Sequence, residues 1–143
     1  MKTVLFVFSL LTATLGIDQT MLAQDTGKGH KVVFQFVASD TLSQRSLITN
    51  LRNLRESWPD AEVEVVLHGG GLAMVLTEKA RYASILQELV QKKNVKMVAC
   101  ENTMRMQKVT EADLLPFIGT VPMAMAELIL KQEQGWAYLR AGL

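Results

Sequence analysis

The chain has 143 residues, a formal net charge of +1, 49% hydrophobic residues and one cysteine. That length suits one domain and excludes a multidomain enzyme, the balanced charge argues against a nucleic-acid binder, and the apolar content excludes disorder. The lone Cys100 excludes an internal disulfide framework and an all-cysteine zinc site, and leaves one thiol to explain.

Residues 1–23 read as a secretory signal peptide. Lys2 precedes the apolar run Val4–Leu11, small and polar residues follow, and Ala23 suits the residue before a cut. The run is short for a membrane span, which needs about 20 residues. A retained N-terminal anchor is the alternative. The mature protein is then expected to start near Gln24, to number about 120 residues and to be exported, with the periplasm as its expected compartment and no membrane attachment after cleavage. Residues 24–30 form a polar leader, and residues 31–143 form one compact domain.

Lys31–Ala38 is rich in β-branched and aromatic residues and predicts a strand. Ser39, Asp40 and Thr41 are candidate helix caps. Leu47, Ile48, Leu51, Leu54 and Trp58 then share one face at a 3.6-residue period, and Pro59-Asp60 ends that helix. Ala61–Leu67 predicts a second strand, and His68-Gly69-Gly70-Gly71 a loop. A second helix is expected from Thr77, with Tyr82, Ile85, Leu86, Leu89 and Val90 on one face. Val95–Cys100 predicts the third strand, followed by a short helical piece around Thr103–Gln107 and a capping box at Thr110–Asp113. Phe117–Val121 predicts a short fourth strand. Pro122 suits the first turn of a last helix, Gly135 its end, and Trp136–Arg140 a final strand.

Strands alternating with helices imply a mainly parallel sheet of about five strands covered on both faces, a flavodoxin-like three-layer α/β/α sandwich. Such sheets bind ligands beyond the carboxyl ends of their strands. Strand direction alone therefore brings Ser39-Asp40, His68-Gly69 and Cys100-Glu101-Asn102 to one rim.

Cys100 ends a strand just before a helix start at Asn102-Thr103, where amide groups and the helix dipole favour a thiolate. Arg105 and Lys108 would add to that effect and Glu101 would oppose it. The alternative is a buried cysteine acting as a small hydrophobe. His68 is a candidate base or polar partner for Cys100. If the two strands flank a central one, they are about 10 Å apart. The alternative is a histidine that only hydrogen-bonds the glycine loop. That loop lacks the lysine of a P-loop and the dinucleotide-binding glycine spacing. Met74, Met97, Met104, Met106, Met123 and Met125, with Cys100 and His68, raise a copper(I) site. Their spacing forms no dense cluster, so no metal is assigned and core packing or a subunit interface is preferred. No nucleophile elbow and no zinc-spaced histidine pair is present.

The segments Asn94–Arg105 and Lys108–Leu114 resemble the DsrE/DsrF-like family of sulfur-relay proteins. The strand Val32–Val37, Leu67-His68-Gly69, Val121-Pro122 and Gln134-Gly135-Trp136-Ala137-Tyr138 are similar too. The resemblance implies a flavodoxin-like fold and a homo-oligomer, often a trimer or hexamer. It implies that Cys100 accepts sulfane sulfur as a persulfide; His68, Gly69, Asn102, Thr103 and Arg105, which the strand ends and the helix start bring near it, are the candidate binding residues. Sulfur donor and acceptor proteins are then the partners, and no metal or organic cofactor is required. Export is a departure, because the best-understood relay members work in the cytoplasm and an oxidising compartment threatens a lone thiolate. Two alternatives stand beside this reading: a non-catalytic oligomeric binding module, and a periplasmic thiol redox or copper-handling protein.

Overall fold

The computed structural model describes residues 29–142. The expected signal peptide and residues 24–28 of the leader lie outside the described residues. Strand β1 (Lys31–Phe36) opens the domain and helix α1 (Thr41–Ser57) follows. Of the three candidate caps, Asp40 is used: its Oδ1 accepts the Ser43 N–H at 2.8 Å. Leu47, Ile48 and Leu51 of the helical stripe are buried, with Leu54 and Trp58 packed beside them. Next come β2 (Glu62–Leu67), α2 (Ala83–Lys93), β3 (Val95–Cys100), α3 (Glu101–Gln107), β4 (Gly119–Val121), α4 (Ala124–Glu133) and β5 (Ala137–Ala141).

All five strands are parallel, in the order β4-β3-β2-β1-β5. The connections from β1 to β2 and from β2 to β3 step in one direction. The connection from β4 to β5 returns across the whole sheet. Right-handed crossovers therefore place α1 and α2 on one face and α4 on the other, which is the flavodoxin-like α/β/α layering. The first face holds the larger core, with Phe34, Phe36, Val65, Leu67 and Met97 of the sheet against Leu47, Leu51, Leu86 and Leu89 of the helices. Each such fully buried side chain contributes about 1.5–3 kcal/mol. The second face holds Val33, Val66, Val98, Cys100 and Val121 against Ala124 and Leu128 of α4.

Helix α4 ends as Gly135 predicts. Gly135 takes φ 82°, its N–H reaches the Gln132 carbonyl and the Trp136 N–H reaches that of Lys131, both at 3.0 Å. This is a Schellman closure. Pro122 lies just outside that helix, whose N-cap is Met123.

Two further sequence expectations differ from the structure. The open loop expected at His68–Gly71 gives way to a 3-10 turn over Gly69–Met74, wound tightly against β1. A Cβ on Gly71 would lie 2.4 Å from the Phe36 carbonyl oxygen, and one on Gly70 2.9 Å from that of Val37. These two glycines permit the chain to approach itself. The helix expected from Thr77 starts at Ala83 instead. The Thr77 N–H is taken by the Asp113 carbonyl at 2.8 Å, and Leu76 bridges antiparallel to Leu114. Tertiary bonds override helix propensity there. Among the described residues no helix is long and apolar enough to cross a membrane.

Candidate functional site

Cys100 is the last residue of β3 and the N-cap of α3, and it is 4% exposed. The β4–α4 connection brings the start of α4 over it, so that the Ala124 N–H donates to Sγ at 3.3 Å. Burial pushes the thiol up. The Thr103 and Ala124 amides, the Thr103 hydroxyl and the Asn102 amide all favour the thiolate and outweigh it. The net result is a thiol held below its ordinary value. The donors are backbone and hydroxyl groups of two helix starts.

His68 follows β2 directly, and β2 pairs with β3 in the register Leu67 to Ala99. The two strands are thus neighbours, about 5 Å apart, and the two-strand separation considered from the sequence is corrected. One register step beyond that pair, His68 and Cys100 fall on the same face of the sheet. The imidazole does not serve the glycine loop: its Nε2 lies 2.9 Å from the Gln35 amide nitrogen. Gln35 in turn accepts a hydrogen bond from the Tyr138 hydroxyl. Burial holds His68 below its ordinary pKa.

A cleft of about 470 Å³ lies over the thiol, and His68, Gly69, Asn102 and Thr103 line it together with Cys100. Arg105 is not among the lining residues; its guanidinium donates to Asn102 Oδ1 at 3.1 Å. Thr103 Oγ1 accepts the Gly69 N–H at 3.3 Å, and Gln107 Nε2 donates to the Gly69 carbonyl at 2.8 Å, which ties the glycine turn to α3. The rest of the lining consists of Gln107 and Ala124, which the sequence reading did not single out, and of three methionines whose spacing it read as forming no cluster. Met106 and Gln107 come from α3, and Met123, Ala124 and Met125 from the start of α4. Met106, Met123 and Met125 are exposed large apolar side chains. Their isolated spacing along the chain concealed this convergence, which only the return crossover of α4 creates. Among the described residues, no Asp, Glu, Lys or Arg side chain lines the cleft. Among the described residues no group of three or more His, Cys, Asp or Glu is placed to hold a metal ion.

The family model described as the DsrE/DsrF-like family matches residues 30–141. The structure superposes on that of a protein of unknown function, MTH1491 from Methanobacterium thermoautotrophicum, with a TM-score of 0.74 and 30% identity, covering 78% of this chain and 98% of that one. It is also similar in fold to BT1422 from Bacteroides thetaiotaomicron, with a TM-score of 0.64 and 13% identity over 81% of this chain and 98% of that one. The YchN protein of E. coli is similar at a TM-score of 0.61 and 18% identity over 78% and 98%. No curated protein matches the chain.

Proposed function

The chain belongs to the DsrE/DsrF-like family, and on that premise we propose that it carries sulfane sulfur as a persulfide on Cys100. The observation that carries this reading is the thiol itself, held below its ordinary pKa by amide donors at the floor of an open cleft. The thiolate attacks the terminal sulfur of a donor persulfide, R–S–SH. A new S–S bond forms at Cys100, the donor S–S bond breaks, and the electron pair leaves with the thiolate R–S⁻. There is no net oxidation. Attack on the outer sulfur of Cys100 by an acceptor thiolate reverses the exchange. The amide donors that favour the Cys100 thiolate favour it again as the leaving group of that second step.

We place this chemistry in an exported, periplasmic homo-oligomer, on the strength of the signal-peptide pattern at residues 1–23 and of the apolar side chains exposed on α4. Intact mass spectrometry after incubation with a sulfane donor tests the carrier step. The wild type gains the mass of one sulfur atom, and the gain disappears on reduction and in Cys100→Ser. A wild type unmodified by several donor classes would exclude it.

One observation favours a second reading. Cys100, His68, Met106, Met123 and Met125 line one cleft, and thiolate and thioether ligands together select copper(I). A competition titration with a colorimetric copper(I) chelator decides it. One equivalent withdrawn by the wild type, and less by Met123→Leu/Met125→Leu, supports copper handling. None withdrawn removes it.

A further inference from the structure

The second face of the sheet carries a hydrogen-bonded line that crosses three strands and ends beside the thiol. Tyr138 lies on β5, Gln35 on β1 and His68 at the end of β2, and these strands are consecutive neighbours in the sheet. The Tyr138 hydroxyl donates to Gln35 Oε1, and Gln35 Nε2 lies 2.9 Å from His68 Nε2. A carboxamide has one accepting and one donating end. With its oxygen occupied by Tyr138, Gln35 presents its NH₂ to the imidazole. A ring nitrogen that accepts a hydrogen bond carries no proton, so the single proton of the neutral ring sits on Nδ1.

We propose that Tyr138 and Gln35 hold His68 as a neutral imidazole protonated on Nδ1, so that it serves the cleft as a hydrogen-bond donor and not as the base or cationic partner of Cys100. The inference rests on the sulfur-carrier reading and adds to it the division of labour around the sulfur. The Cys100 thiolate is stabilised by amides of α3 and α4, and His68 supplies a separate N–H for a donor or acceptor sulfur that develops charge in the cleft.

The surroundings agree with that assignment. A second proton on the ring would set two donors face to face at Nε2, and relieving this would require the Gln35 amide to flip and the Tyr138 hydroxyl to turn from donor to acceptor. Among the described residues, the side chains that share the cleft with His68 include no carboxylate: β3 contributes Cys100, α3 Asn102, Thr103, Met106 and Gln107, and the start of α4 Met123 and Met125. Burial of His68 acts in the same direction. Gln35 and Tyr138 are positioning residues: they act on the cleft only through His68.

Long-range ¹H–¹⁵N correlation spectra of the histidine side chains of the full chain, recorded as the pH is lowered from neutral, test the assignment, with His30 as the internal reference. The expected result is His68 with Nδ1 protonated and Nε2 bare at neutral pH. The Nε2–H tautomer, or an imidazolium at neutral pH, overturns the proposal. Gln35→Glu places a carboxylate at Nε2, and is expected to raise the His68 titration midpoint by about one to three units. An unmoved midpoint would show that residue 35 does not govern the ring. Tyr138→Phe frees the amide and is expected to yield a tautomer mixture; retention of pure Nδ1–H counts against Tyr138. In His68→Gln the pH dependence of Cys100 alkylation is expected to stay where it is. A rise of about one unit or more would mean that His68 is a charge partner of the thiolate after all. Sulfur loading of the wild type is measured on the same sample. Loading together with the Nε2–H tautomer overturns this inference alone. No loading together with the Nδ1–H tautomer overturns the carrier reading, and with it the donor role of His68.

Discussion

A thiolate stabilised by amides differs from one stabilised by a cation, because the amides do not titrate. Around Cys100 the Thr103 hydroxyl is the one favouring group that a substitution can remove without touching the backbone. A hydrogen bond to a charged group is worth about 1.5–3 kcal/mol, so Thr103→Val is expected to raise the Cys100 pKa by about one to two units. The rate of iodoacetamide alkylation against pH measures it, and an unshifted profile would leave the hydroxyl without a part. The same shift bears on folding. Because the folded thiol titrates below the unfolded one, the unfolded chain binds the extra proton in the window between the two values. Stability therefore rises with pH across that window, is fully gained above the unfolded thiol value, and is lost as pH falls through the folded one. Cys100→Ser, examined by denaturation at several pH values, should flatten that alkaline rise. The strand-end position of Cys100 was legible in the sequence, since Val95–Cys100 is the strand as read. The amide of Ala124 was not, because it reaches the sulfur from 24 residues away.

At the scale of elements, α4 positions the site, and a buried ion cluster holds α4 to the sheet. Glu64 on β2 has no exposed side-chain surface, and its Oε2 lies 2.9 Å from Lys131 Nζ on α4 and 3.1 Å from Lys96 Nζ on β3. Lys131 also lies 3.6 Å from Glu127 and 4.2 Å from the Trp136 ring centre. Burial pushes Glu64 up, but the lysines and Glu127 outweigh it and leave it below its ordinary value. Glu127 is raised, first by its own partial burial and then by the neighbouring Glu64 charge. Removing one partner of a buried pair strands the other, so Glu64→Ala is expected to cost about 3 kcal/mol in urea unfolding. By loosening α4 it should also raise the Cys100 pKa, a readout that general destabilisation would not move. Alternation in Ala61–Leu67 marks Glu64 as polar but cannot say that a helix from the far end of the chain will cover it. The glycine turn has the same character. Gly71→Ala is expected to cost about 1–3 kcal/mol, because its Cβ meets the Phe36 carbonyl at 2.4 Å. The sequence reads the three glycines as a loop and cannot reveal that β1 lies against it. Local signals such as the Asp40 cap, the Gly135 stop and the Thr110–Asp113 capping box were readable because the residues that satisfy them are close in the chain.

For the whole molecule, strand order decides what remains uncovered. Among the described residues, α1 and α2 shelter one face of the sheet, whereas α4 is the single long helix on the other. Helix α4 turns Ala124 and Leu128 inward, and leaves Met125, Ile129 and Leu130 at 43%, 54% and 49% exposure, with Met123 beside them at 48%. Met125 and Ile129 stand one turn apart, so they form a stripe and not scattered single residues. Contiguous exposed apolar surface of this kind marks an interaction site. A second copy of the chain is the occupant consistent with the homo-oligomer proposed above. The same stripe begins at the methionines of the cleft, so association through it would wall the thiol and limit its oxidation in an oxidising compartment. Sedimentation velocity at micromolar concentration should therefore show a species larger than the monomer. Ile129→Glu, which changes one exposed residue away from the cleft, should shift it to the monomer while leaving the fold intact by circular dichroism. It should also quicken peroxide oxidation of Cys100. A wild type that sediments as a monomer, or an Ile129→Glu variant that oxidises at the wild-type rate, would separate the stripe from the protection of the thiol.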